Sequence, residues 1–179
     1  MKVTLIKHPD DNDWLLAKQC ALVTVSKESD KVPSMEWKRK LLRSEHSPIR
    51  ALWFYFRFED LPYWVSVHLC RHVFSTPYVS TQRNDRQDRY DRNSARQDAP
   101  VTMIWAMNAQ ELMTIARKRL CTKAAPETRQ AVQLMCDEVL KTNPEFSGLL
   151  EPMCSYLNGS CREFEPCGRY KEYTEFSND

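Results

Sequence analysis

The stretch Ile49-Arg50-Ala51-Leu52-Trp53-Phe54-Tyr55-Phe56-Arg57-Phe58 decides the fold. It is dominated by aromatic and β-branched residues, and Leu52, Phe54, Phe56 and Phe58 alternate onto one side, the period-two pattern of a strand with one buried face. Just beyond it, Asp60 precedes Leu61-Pro62, a helix N-cap with proline in the first turn, which predicts a helix from Leu61 to His72. That helix ends on His68-Leu69-Cys70-Arg71-His72. His68 and His72 are four apart and Arg71 is three from His68, so all three are expected on one face near the C-terminal end. A guanidinium and two imidazoles grouped there suit an anionic ligand, because guanidinium binds phosphate bidentately and imidazole donates a hydrogen bond or a proton. The competing reading is a solvated or simply packed face.

The pattern extends in both directions. Lys2 to Lys7 is β-prone, and His8-Pro9-Asp10-Asp11-Asn12-Asp13 supplies a turn and helix caps before Trp14-Leu15-Leu16-Ala17. Ser34 is the expected N-cap of a helix from Met35 to Leu42, whose basic residues read as a solvated face. Residues 83–98 interleave five arginines with aspartates of nearly cancelling charge and read as a polar loop or a short charged helix. Pro100 ends that segment, Val101 to Met107 reads as a strand, Asn108 as the cap of a helix to about Cys121, and Pro126 as the start of another ending near Asn143-Pro144. Strands alternating with helices, without repeats or a long linker, predict one mixed α/β or α+β domain over residues 1–150, a mixed sheet packed with helices, followed by a cysteine-containing tail over residues 151–179.

The 179 residues are enough to bury a sizeable core, and a net charge of +2 gives no bulk attraction for nucleic acid or membranes. No apolar run approaches the roughly 20 residues that span a bilayer, and Met1-Lys2-Val3-Thr4 lacks the apolar region of a signal peptide, so a cytoplasmic protein is expected. Seven cysteines in such a chain are expected as reduced thiols. Cys20, Cys70, Cys121 and Cys136 fall in apolar periodic segments and read as small core residues. Cys154, Cys161 and Cys167 cluster in the tail, but their spacing is wider than that of common zinc ligands, so unligated thiols are expected and no metal is assigned.

Taken together the segments resemble the flavin-dependent thymidylate synthases. Arg71-His72 matches the opening of that family's Arg-His-Arg signature and Arg83 falls at the spacing of its last Arg. Ser44-Glu45-His46-Ser47-Pro48 is similar to the family's lead-in to its flavin-side strand. Asn108-Ala109, Arg119-Leu120-Cys121 and Glu127-Thr128-Arg129 are similar to its late helices. The chain departs from the signature at Val73 for the second Arg, Tyr78-Val79 for Asn-Glu, Thr81 for Ser and Asn84 for Tyr, with Arg50 where a Glu is usual upstream.

The resemblance implies FAD as cofactor, NADPH and methylenetetrahydrofolate as co-substrates, dUMP as substrate, and a homotetramer with active sites shared between subunits. Carried across by position, Ser47, Arg71, His72, Asn108 and Arg119 would meet the flavin, while His68, Thr81, Gln82, Arg83 and Arg129 would hold the nucleotide, Thr81 and Arg129 being the residues nearest the chemistry. Three alternatives stay open at this stage: C5 modification of another pyrimidine nucleotide, a non-catalytic flavin- or nucleotide-binding relative, and a small metal-binding interaction protein built on the tail cysteines. Flavin colour separates the last from the others, and turnover of dUMP separates an enzyme from a binding relative.

Overall fold

A computed structural model of the chain describes residues 1–86 and 91–170. Four strands, β1 (Lys2–Lys7), β2 (Trp53–Pro62), β3 (Ser75–Val79) and β4 (Pro100–Asn108), form one sheet in the order β1-β2-β4-β3. Every pairing is antiparallel, so the α+β domain is built on an antiparallel sheet rather than the mixed one expected. Among the described residues six α-helices accompany it: α1 (Asp11–Val23), α2 (Met35–Arg43), α3 (Tyr63–Leu69), α4 (Ala109–Arg119), α5 (Pro126–Thr142) and the short α6 (Met153–Tyr156).

The aromatic alternation behaves as the period predicts. Phe54, Phe56 and Phe58 on β2 and Met103, Trp105 and Met107 on β4 are fully buried on one sheet face. Each such side chain contributes roughly 1.5–3 kcal/mol through its removal from water. Helices α4 and α5 add Leu112, Met113, Ile115, Val132, Met135 and Val139 to the same core.

The caps are largely those foreseen. Asp10 accepts from the backbone of Asn12 and Asp13 in a reciprocal capping box, Ser34 caps α2, and Asn108 Oδ1 accepts from Glu111 N at 3.0 Å at the head of α4. Pro126 occupies the first turn of α5, where its missing N–H costs nothing.

Three expectations fail locally. Residues 47–51 form a 3-10 turn, and the strand begins only at Trp53. Pro48 fixes the turn, and Ile49 and Leu52, three apart, are both buried from it. Downstream, Asp60 does not cap α3: it sits at φ +54° beside an irregularity between Phe58 and Leu61, and β2 continues to Pro62. The free N–H groups of Tyr63 and Trp64 are taken instead by the carbonyls of Ala99 and Gln97, at 3.0 and 3.1 Å. The helix therefore starts at Tyr63 and ends at Leu69, leaving Arg71 and His72 beyond it rather than on its face. Third, Ser75–Val79 is a strand with no counterpart in the sequence reading; it lies at the sheet edge, where Pro77 is tolerated.

The charged segment is built of turns where it is described, with Arg83 paired to Asp85 and Arg96 to Asp98; residues 87–90 lie outside the described residues. Among the cysteines expected in the core, Cys136 is buried and its thiol is pushed up to about 12 by that burial. Cys20 and Cys121 are half-buried, and Cys70 is exposed because it caps the C-terminal end of α3 instead of continuing the helix. No described helix is long and apolar enough to cross a membrane.

Candidate functional site

The turn after α3 is fixed by a short relay of hydrogen bonds. Ser75 Oγ accepts from the buried Trp105 indole at 2.7 Å and donates to the His72 carbonyl at 2.6 Å, which ties the turn to β4. His72 is thereby set against α4. Arg119 Nε donates to His72 Nε2 at 2.9 Å, while Arg119 Nη2 donates to the carbonyl of His68 at 3.1 Å. A guanidinium has no lone pair to offer, so Nε2 is the acceptor and the ring proton sits on Nδ1. Nδ1 in turn lies 3.3 Å from Oε1 of Glu111, whose carboxylate is almost wholly buried.

Arg119 thus spends its hydrogen bonds on two neutral partners and keeps its charge. Burial lowers its affinity for the proton, and the nearby Arg71 cation adds to that effect. Arg119 remains charged at neutral pH, and a second guanidinium in its neighbourhood favours an anion beside them. The other histidine, His68, packs edge-on to Trp64 with centroids 5.3 Å apart, and its Nδ1 is 3.5 Å from the hydroxyl of the buried Thr128 on α5.

The His72–Glu111 contact separates two surface depressions. One, of about 290 Å3, is cationic: His72, Lys118, Arg119 and Lys123 line it, with Glu163 as its carboxylate. The other, of about 310 Å3, is lined by Phe74, Asn108, Gln110, Glu111, Thr114 and Arg50. Each is close to the lower limit for a small-molecule site. The first suits a phosphate; the second combines an exposed aromatic ring with amide and hydroxyl groups, a surface suited to a planar polar ring.

The structure therefore brings Arg71, His72 and Arg119 together, with the His68 backbone joined to them. Asn108 lines the second depression while capping α4. Arg129 donates to the Thr122 carbonyl at 3.3 Å, holding the loop that borders the cationic depression. Ser47 opens the 3-10 turn and lines neither depression. Nor do Thr81, Gln82 and Arg83: the Thr81 hydroxyl accepts from Arg83 N at 3.2 Å, and the Arg83 side chain forks onto Asp85. Sequence reasoning missed Glu111, Gln110, Thr128 and Lys118. Only Glu111 left a signal, since it, Ile115 and Arg119 follow at i, i+4 and i+8 along one helical stripe.

Comparison with known proteins agrees with this picture. The profile of the family described as thymidylate synthase complementing protein matches residues 92–145. A flavin-dependent thymidylate synthase of Clostridium tetani is 38% identical over 71 residues, which are 39% of this chain and 28% of that protein's length. The Helicobacter pylori flavin-dependent thymidylate synthase ThyX, solved with FAD and dUMP, superimposes with a TM-score of 0.66 at 13% identity, covering 84% of this chain and 98% of that one. The UMP/dUMP methylase PolB of Streptomyces cacaoi, solved with 5-bromo-dUMP, gives 0.64 at 15% identity over 82% and 94% of the two chains. The chain thus shares its fold with these structures, and its β4–α4–α5 stretch is similar in sequence to the thymidylate synthase complementing protein family.

Proposed function

We propose that the protein is an FAD-dependent enzyme that methylates dUMP to dTMP, with methylenetetrahydrofolate as one-carbon donor and NADPH as reductant. The observation that carries this reading is the Arg119–His72–Glu111 arrangement beside Arg71, placed between a cationic depression and one lined by an aromatic ring and amides. FAD, when bound, would supply the hydride chemistry, so no protein nucleophile is required. The chain's own contribution is then binding and orientation. Arg71 and Arg119 would hold an anionic group, and Arg119, positioned by His72 and the His68 carbonyl, would present a fixed fork. Phe74 and Asn108 would face the flavin ring.

Ser47, Thr81, Gln82 and Arg83 lie away from these depressions in a single chain, which supports the expectation that a homotetramer shares its sites between subunits, with one copy completing the pocket of another. Arg129 and Thr81 remain the proposed groups nearest the nucleotide, and a cytoplasmic location is proposed with them. A second reading, methylation of a different pyrimidine nucleotide, is favoured by one observation: the departures from the signature at Val73, Tyr78 and Asn84 fall on the nucleotide side, and one relative of the same fold is a UMP/dUMP methylase. The test is direct. Purified protein is loaded with FAD, its flavin spectrum recorded, and turnover measured with dUMP and UMP in parallel. Turnover of dUMP alone supports the first reading, turnover of UMP supports the second, and a colourless protein unaltered in melting temperature by FAD refutes both.

A further inference from the structure

Four of the seven cysteines line one cavity. Cys121, in the loop just past α4, meets Cys154, Cys161 and Cys167 from the segment after α5 around a space of about 30 Å3. A water needs on the order of 10–15 Å3 of such volume, so this space has room for one ion. All four residues are free thiols. We propose that Cys121, Cys154, Cys161 and Cys167 bind a single zinc ion in a tetrahedral, structural site.

Three observations point this way. The ligand set is the four-sulfur set of closed zinc sites. Its charge is compensated: zinc with four thiolates is doubly negative, and Lys118, Arg162 and Arg169 line the cavity against one carboxylate, Glu163. The segment also needs a staple. Among the described residues after Leu149, Cys161 is the sole buried hydrophobic and the only helix is four residues long, so residues 151–170 have no core of their own.

The wide spacing of the three tail cysteines weighed against a metal in the sequence alone. The fold changes that balance by delivering a fourth thiol from 33 residues before Cys154. Among the described residues no three metal-ligating side chains already surround one point closely enough to hold an ion. Binding therefore draws the sulfurs inward, and each thiol gives up its proton as it ligates. The same cavity wall, Lys118, Cys121 and Glu163, also borders the cationic depression of Arg119, so the ion would fix the loop between Arg119 and Arg129. This inference stands apart from the proposed catalytic activity.

The full-length protein is purified without chelator under reducing conditions, its metal content measured, and the stripped protein titrated with Co2+. The expected result is one equivalent of zinc per chain, and a cobalt spectrum with strong thiolate-to-metal charge transfer and tetrahedral visible bands. Cys121→Ser and Cys161→Ser should each weaken cobalt binding at least tenfold, whereas Cys20→Ser leaves it unchanged. The cobalt titration of the unaltered chain needs no variant to fold. No metal uptake, a weak octahedral cobalt spectrum, iron with labile sulfide, or disulfides among these four thiols would each overturn the proposal.

Discussion

Replacing Glu45 by glutamine tests the link between α4 and the segment after α5. Glu45 sits at φ +49°, a left-handed conformation that the surrounding contacts must hold. Its Oε1 accepts from Arg117 Nη2 at 2.5 Å and from the Tyr156 hydroxyl at 2.9 Å, and its Oε2 accepts from Arg117 Nη1 at 3.1 Å. The Arg117 guanidinium also lies 3.7 Å from the centre of the Tyr156 ring. The side chain of Arg117 is 9% exposed and that of Glu45 23%. A fully buried pair that loses one partner costs about 3–5 kcal/mol. Water reaches Glu45, so Glu45→Gln should cost about 2–3 kcal/mol, which for a chain of this size is a fall in Tm of roughly 4–12 °C.

The same variant carries a pH signature. The Arg117 guanidinium, ahead of the smaller effect of Tyr156, holds the Glu45 carboxyl below the usual carboxylate range. Its stabilisation is therefore fully present above the ordinary carboxyl value of about 4.3 and is lost as pH falls through the lower folded value. Urea unfolding across pH should give a constant gap between wild type and Glu45→Gln near neutrality and a narrowing gap below about pH 5. A gap under about 0.5 kcal/mol, or one that persists unchanged into acid, would refute the reasoning.

Other variants probe the core, the cap and the site. Phe56→Ala should cost about 3–5 kcal/mol by denaturant unfolding, because the ring is fully buried between Phe54 and Phe58. Asn108→Ala should cost about 1 kcal/mol through the lost α4 cap, whereas Asn108→Asp keeps the cap; if the aspartate variant also loses FAD, the side chain serves the flavin as well. Arg119→Met should weaken binding of FAD or dUMP roughly tenfold or more by calorimetry, the worth of a charge-assisted bond, and equal affinity would remove Arg119 from the site. Asp85→Ala releases Arg83 from its forked partner, so dUMP affinity should hold or rise; a loss would show that the pair itself is needed.

Much of the fold was legible because its signals are local. The alternation at Phe54, Phe56 and Phe58 is confined to one strand, and the cap at Asn108 and the proline at Pro126 each act within a few residues of a helix start. What was not legible depends on distant partners. Strand β3 contains Pro77 and exposed Tyr78, weak strand signals that are overridden by pairing with β4. The start of α3 was misplaced because the groups satisfying Tyr63 and Trp64 come from residues 97 and 99, not from the neighbouring Asp60.

The site divides in the same way, and α4 shows why. Arg117 and Arg119 are two residues apart and point to opposite sides of one helix. Arg117 faces Glu45 and Tyr156 and gives its charge to a carboxylate, which makes it part of the scaffold. Arg119 faces the turn after α3, meets a ring nitrogen and a carbonyl, and keeps its charge for a ligand. No feature of Ala116-Arg117-Lys118-Arg119-Leu120 distinguishes those fates. The distinction is made by what lies opposite: a carboxylate 72 residues before Arg117, and a histidine 47 residues before Arg119 that Glu111 holds from its far side. A buried carboxylate placed on the histidine rather than on the arginine is what leaves Arg119 uncompensated, so under the proposed function Glu111 would shape the anion site without touching the anion.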